Sequence, residues 1–251
     1  MKKVIIGIIP GVKKNENNPY EYKYIYLNSY SKAISNNNAI PIGLLLNDES
    51  IDEESLNICD GFLFPGGKKL EKAHFDIILH AIKHNKPILG ICLGMQVLNY
   101  FSILKEELTK KNLKITIKNL WDEFEKIKNE DFFKLKEIEI PNIHGYKIMQ
   151  DKIECNYQNI LKSKHNITIN KDSILYDIYK TENLEVISLH LKKVTNVSEA
   201  FYISAKASDG IIEALEYKDK NNFILGVQFH PELNDNKIFE YFINEVKKRN
   251  V

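Results

Sequence analysis

The chain has 251 residues, of which 43% are hydrophobic and 10% aromatic, enough to fill a substantial core without disulfide or metal staples. Its 35 Lys plus Arg nearly balance 34 Asp plus Glu, so no global charge recruits nucleic acid or an anionic membrane, and a small-molecule partner is expected. No apolar run approaches the roughly 20 residues that span a bilayer, and Val4–Pro10 is too short for a signal peptide, so a cytoplasmic protein is expected.

In chain order, the β-branched run Val4–Ile9 ends at Pro10-Gly11 and predicts a strand buried on both faces. Tyr22–Ser35 carries apolar residues at helical spacing, and Ala39–Leu46 predicts a second buried strand. A short helix over Asp52–Cys59, a strand at Gly61–Phe64, a helix over Ala73–His84 and a strand at Pro87–Ile91 continue the alternation, with a further helix beginning near Leu93. Alternation of this kind predicts a doubly wound α/β sheet whose ligand sites lie at the carboxyl ends of its strands. Leu104–Lys136 lacks Gly and Pro, holds the single Trp, Trp121, and reads as helical: an insertion or a lid within one domain spanning 1–251. Short strands follow at Lys136–Ile140, Ile167–Ile169, Glu185–Leu189, Ala200–Ala207, Ile211–Tyr217 and Phe223–Gln228, and a last helix covers Asn236–Lys248.

Three segments carry chemistry. In Gly90-Ile91-Cys92-Leu93-Gly94 a strand runs into a helix through a turn flanked by glycines, as a nucleophile at a sharp reversal requires. The helix N-terminus would favour the thiolate of Cys92. In Gly226–Glu232 an apolar strand delivers His230, a general base toward Cys92, and Glu232 can hold the other imidazole nitrogen. In Gly61–Gly67 a strand ends in paired glycines whose loop can turn an N–H toward an oxyanion, with the Leu93 N–H as second donor. Cys59 and Cys155 read as structural. His74, His80 and His84 share a helix and His80 and His84 stand four apart, yet no neighbouring Cys or carboxylate pattern completes a metal site, so a solvated helix face is expected for them. His144 and His165 have no partner motif.

DGFLFPGG, KPILGICLGMQ and LGVQFHPE together resemble the class I glutamine amidotransferases, and IGIIPG, AIPIGLL, VISLH and SDGIIEALE resemble the γ-glutamyl hydrolases of the C26 peptidase group. The resemblance implies a flavodoxin-like fold with a mostly parallel central sheet and helices on both faces. It implies a triad of Cys92, His230 and Glu232, oxyanion donors at Gly67 and Leu93, and γ-glutamyl contacts at Gln96, Ser188 and His190. The chemistry so implied, hydrolysis of a γ-glutamyl amide through a thioester, requires no metal or organic cofactor. The chain departs from the hydrolases at Leu93, where Arg is usual, in the short segment Lys68–Lys72, at Phe101–Leu104, and at Leu191 and Lys192 after VISLH. Two other readings stand beside hydrolysis. One is a glutaminase subunit delivering ammonia to a separate synthetase, the chain itself having no Walker-type loop for ATP. The other is a catalytically silent binding or regulatory homologue, and a second copy of the chain remains a candidate partner in each case.

Overall fold

The computed structural model describes residues 2–15, 18–47, 50–131, 133–137 and 163–250. The strands are β1 (Ile5–Ile8), β2 (Gly11–Asn15), β3 (Asn18–Ile25), β4 (Ile40–Gly43), β5 (Gly61–Phe64), β6 (Ile88–Ile91), β7 (Lys136–Glu137), β8 (Lys164–Ile169), β9 (Asn183–Ile187), β10 (Lys192–Lys193), β11 (Phe201–Ala207), β12 (Ile212–Tyr217) and β13 (Ile224–Val227). The helices among the described residues are α1 (Asn28–Asn36), α2 (Glu53–Asn57), α3 (Ala73–Lys83), α4 (Leu93–Lys110), α5 (Ile117–Ile127), α6 (Ile174–Tyr179) and α7 (Lys237–Arg249), with a 3-10 turn at Pro231–Leu233.

Nine strands form the central sheet in the order β4-β1-β5-β6-β13-β12-β11-β8-β9. The first five pair in parallel and the rest pair antiparallel, so β12 and β8 alone oppose the common direction and the sheet is mostly parallel. Alternation along the central strands feeds both faces. Phe62, Phe64 and Ile88 pack with α3, α4 and α5, whereas Leu63, Leu89 and Ile91 pack with α1, α6 and α7. All six of these strand residues have no exposed surface, which is the buried-on-both-faces pattern their apolar sequences predict.

The expected helix over Tyr22–Ser35 is corrected in its first part. Residues 18–25 form β3, which pairs antiparallel with β2 in a separate hairpin, and the helix starts only at Asn28. The cause is legible in YEYKYIY, where tyrosines recur every second residue, a strand period rather than a helical one. Tyr24 and Tyr26 donate their hydroxyls to the carbonyls of Leu46 and Leu44, at 3.0 and 2.6 Å, and so anchor the hairpin beside the end of β4.

Leu104–Lys136 begins inside α4, which runs unbroken to Lys110, and continues through α5, whose Thr116 side chain caps the Asn119 N–H. Trp121 and Phe124 of α5 pack on Phe75 of α3, with ring centroids 6.1 and 6.4 Å away. Of the strand expected at Lys136–Ile140, Lys136–Glu137 pairs with β10, while the remainder lies outside the described residues, as do His144 and Cys155. Among the described residues, no helix is long and apolar enough to cross a membrane.

Candidate active site

β5, β6 and β13 are neighbours in the sheet, so the loops that leave their carboxyl ends meet. Those loops carry Pro65-Gly66-Gly67, Cys92 and His230.

Cys92 occupies the single residue between β6 and α4 with φ 54° and ψ −105°, a conformation that costs a non-glycine residue of order 1–3 kcal/mol. Its N–H donates to the Val227 carbonyl at 2.7 Å and its carbonyl accepts from the Gln96 N–H at 3.3 Å, which fixes the turn from both sides. The flanking glycines are required by packing. A Cβ on Gly90 would lie 2.7 Å from the Gly94 carbonyl carbon, and one on Gly94 would run into the Phe64 carbonyl oxygen.

His230 donates its backbone N–H to the Ile187 carbonyl at 2.8 Å, and its Nδ1 lies 2.7 Å from Glu232 Oε1. Both side chains are nearly excluded from water, at 11% and 3% exposure. Burial alone would depress the His230 pKa, but the Glu232 carboxylate and then Cys92 outweigh it and hold the pKa well above the ordinary histidine value. Gly66 marks the meeting point: a Cβ there would stand 2.9 Å from His230 Cε1, 3.1 Å from Tyr30 Oη and 3.5 Å from Cys92 Cβ.

Tyr30 is a site residue that sequence reasoning missed. It is fully buried on α1, its hydroxyl accepts the Gly66 N–H at 2.9 Å, and burial followed by the Glu232 charge raises its pKa well above the usual tyrosine value. With Gly66 engaged in this way, Gly67 is the loop glycine whose N–H is not committed to Tyr30. A Cβ on Gly67 would lie 2.9 Å from Leu93 Cδ2, so the two expected oxyanion donors border the same space.

The three expected substrate contacts lie deeper. Gln96 is buried and its Nε2 donates to Gln228 Oε1 at 3.0 Å and to the Lys192 carbonyl at 3.5 Å. His190 Nδ1 is 3.0 Å from that same carbonyl, and its Nε2 is 3.4 Å from Glu213 Oε1. His165 Nε2 lies 3.3 Å from the same Glu213 Oε1. Ser188 is fully buried, its N–H donating to the Ser163 carbonyl at 2.9 Å. Gln96 and His190 are thus brought together by the Lys192 carbonyl, in a polar layer under the site that Glu213 and Gln228 complete.

Beside Gly66, Gly67 and Leu93 opens a cavity of about 460 Å³, walled by Val12, Ile25 and Tyr26 of the hairpin region and edged by Lys13, Lys68 and Lys69. The sequence signal for this wall was the tyrosine alternation. Cys59 stands apart: fully buried, its thiol is pushed up to about 12 by burial and donates to the Ser55 carbonyl at 3.3 Å, a structural cysteine.

The family model of Peptidase C26 matches residues 4–76, 71–103 and 130–232. The chain belongs to the Peptidase C26 family. It is 30% identical to a glutamine amidotransferase-like protein of Rickettsia prowazekii over 94% of each chain. It is 28% identical to the glutamine-hydrolysing GMP synthase of Dictyostelium discoideum over 78% of this chain, spanning 22% of that longer protein. Among solved structures, the glutaminase domain of the Trypanosoma brucei CTP synthase with bound acivicin superposes with a TM-score of 0.63 over 98% of this chain and 94% of that domain, at 19% identity. This C26 chain is therefore a hydrolase-type enzyme of the class I glutamine amidotransferase superfamily, with the mixed α/β fold that the resemblance implied.

Proposed function

We propose that the protein hydrolyses a γ-glutamyl amide, with Cys92 as nucleophile, His230 as proton carrier and Glu232 as the group that orients His230. The observation that carries this reading is Cys92 in its left-handed turn, packed against the same glycine as a histidine that a buried carboxylate holds at 2.7 Å. A histidine with a raised pKa accepts the thiol proton readily, and the thiolate then adds to the γ-carbonyl. The N–H groups of Gly67 and Leu93 receive the oxyanion, and His230 returns the proton to the departing amine. The products of this half-reaction are the γ-glutamyl thioester on Cys92 and free amine. Water, deprotonated by His230, cleaves the thioester to release the glutamyl carboxylate and restore the thiol.

The cavity beside Gly67 and Leu93, with its apolar walls and cationic edges, is where this reading seats the leaving amine. A second reading, glutamine hydrolysis for a separate synthetase, draws on the likeness to GMP synthase and CTP synthase sequences. A panel of γ-glutamyl amines and glutamine, assayed for released glutamate with the isolated protein and with Cys92→Ala as blank, separates them. Turnover of γ-glutamyl amines without a partner supports the hydrolase, negligible turnover that a co-purifying synthetase restores supports the glutaminase subunit, and no Cys92-dependent turnover with or without that partner counts against both.

A further inference from the structure

At the end of the sheet remote from Cys92, α2 and the last turns of α3 lie side by side. Lys86, in the link between α3 and β6, donates from its Nζ to the carbonyls of Leu56 and Asn57, at 2.8 and 3.0 Å, which ties that link to the end of α2. The sequence places His80 and His84 one helical turn apart, and the fold supplies the carboxylate that the local sequence lacks, from Glu53 in the first turn of α2. One ligand atom from each of Glu53, His80 and His84 lies within 4.8 Å of the other two. The expected solvated face is corrected here, because His74 and His80 are both buried and His84 is the exposed member. Among the described residues, His80 Nε2 is buried without a hydrogen-bond partner, an arrangement that costs about 1–3 kcal/mol unless something binds there.

We propose that Glu53, His80 and His84 form a site for a divalent transition ion of the zinc class, which clasps α2 to α3. Two imidazoles and one carboxylate suit zinc, cobalt or nickel, whereas magnesium and calcium prefer all-oxygen sets. Tetrahedral ligands about 2.0–2.2 Å from an ion stand about 3.3 Å apart, so no pair in the trio needs to close by more than about 1.5 Å. Glu53 and His84 are both exposed and have the rotamer freedom to do so. The nearby Lys83 and Lys86 oppose a cation, and Asp52, Glu53 and Glu54 at the start of α2 counter them. Water completes the coordination. The site has no part in the chemistry at Cys92 and does not depend on the proposed function.

The test uses the full chain carrying Cys92→Ala, which removes a thiol that would itself take zinc, stripped of metal and titrated with Zn2+ by calorimetry and with Co2+ by visible absorption. We expect one ion per chain with Kd of about 10 μM or tighter, a melting temperature that rises with the ion, and about tenfold or greater weakening by either His84→Ala or Glu53→Gln. Both substituted side chains are exposed, and circular dichroism checks that each variant folds. Absence of saturable binding up to about 1 mM, or a change below about threefold in either variant, overturns the proposal. Binding at another histidine of the chain, such as His144 or His165, would survive both substitutions and be recognised as such.

Discussion

The Tyr30 hydroxyl accepts the Gly66 N–H at 2.9 Å while standing beside the carboxylate of Glu232, so one phenol from α1 ties the glycine loop after β5 to the acid that holds His230. With its pKa well above the usual value, the phenol keeps its proton at every working pH and can offer it to Glu232. Tyr30→Phe removes this link and leaves the Gly66 N–H without its acceptor. We expect a stability loss of about 1–2 kcal/mol by denaturant unfolding and about a tenfold lower kcat with a smaller change in KM. An unchanged kcat would reduce Tyr30 to a packing residue.

Cys92→Ser and Cys92→Ala are expected to lower turnover of the best γ-glutamyl substrate by about 10³-fold or more, since no second nucleophile can form the thioester. A glutamine-analogue electrophile should add one covalent label to the unaltered chain and none to either variant, read by intact mass. Labelling that persists in Cys92→Ser would place the reactive thiol elsewhere.

Glu232→Gln removes the charge that raises His230. A histidine whose pKa is raised by folding binds its proton more tightly in the folded state. Its contribution to stability is therefore complete below about pH 6.5 and is lost as the pH climbs through the folded value. The gap in melting temperature between the unaltered chain and Glu232→Gln should thus be widest below about pH 6.5 and narrow as the pH climbs through the folded value of His230. Activity should fall by about 10²- to 10⁴-fold. A gap that is constant with pH would mean that Glu232 acts on stability through packing alone.

Gly66→Ala puts a methyl 2.9 Å from His230 Cε1 and 3.1 Å from Tyr30 Oη. Side chains rather than backbone meet it, so the expected result is a folded protein with a displaced imidazole, losing about 10²-fold in kcat for about 1–2 kcal/mol in stability. Gly94→Ala, which meets the Phe64 backbone carbonyl instead, should cost stability first. Paired measurements of kcat and unfolding midpoints on the two variants check the contrast.

The parallel half of the sheet was legible because its strands are short apolar runs cut off by turn residues, as in GFLFPGG, and because helical spacing recurs between them. GICLG and FHPE were legible for the same reason: each closes such a strand. What the sequence concealed depended on distant contacts or on a misread period. Tyr30 lies amid apolar residues at helical spacing and gains its role only from the loop 36 residues away. Glu213 looks like one more charge in SDGIIEALE until β12 carries it inside to meet His165 and His190. Glu53 is separated from His80 by the rest of α2, all of β5 and the start of α3, so the trio with His84 exists only in three dimensions.

The close packing around Gly90 and Gly94 means that the helix bearing Leu93 can seat against β5 and β6 only if both positions stay bare. Selection for the fold would therefore preserve GxCxG spacing even in a descendant that had abandoned its thiol. The glycines record the architecture and the sulfur records the chemistry, so in any relative of this chain a retained glycine pair is evidence of ancestry, while activity must be judged from the residue between them.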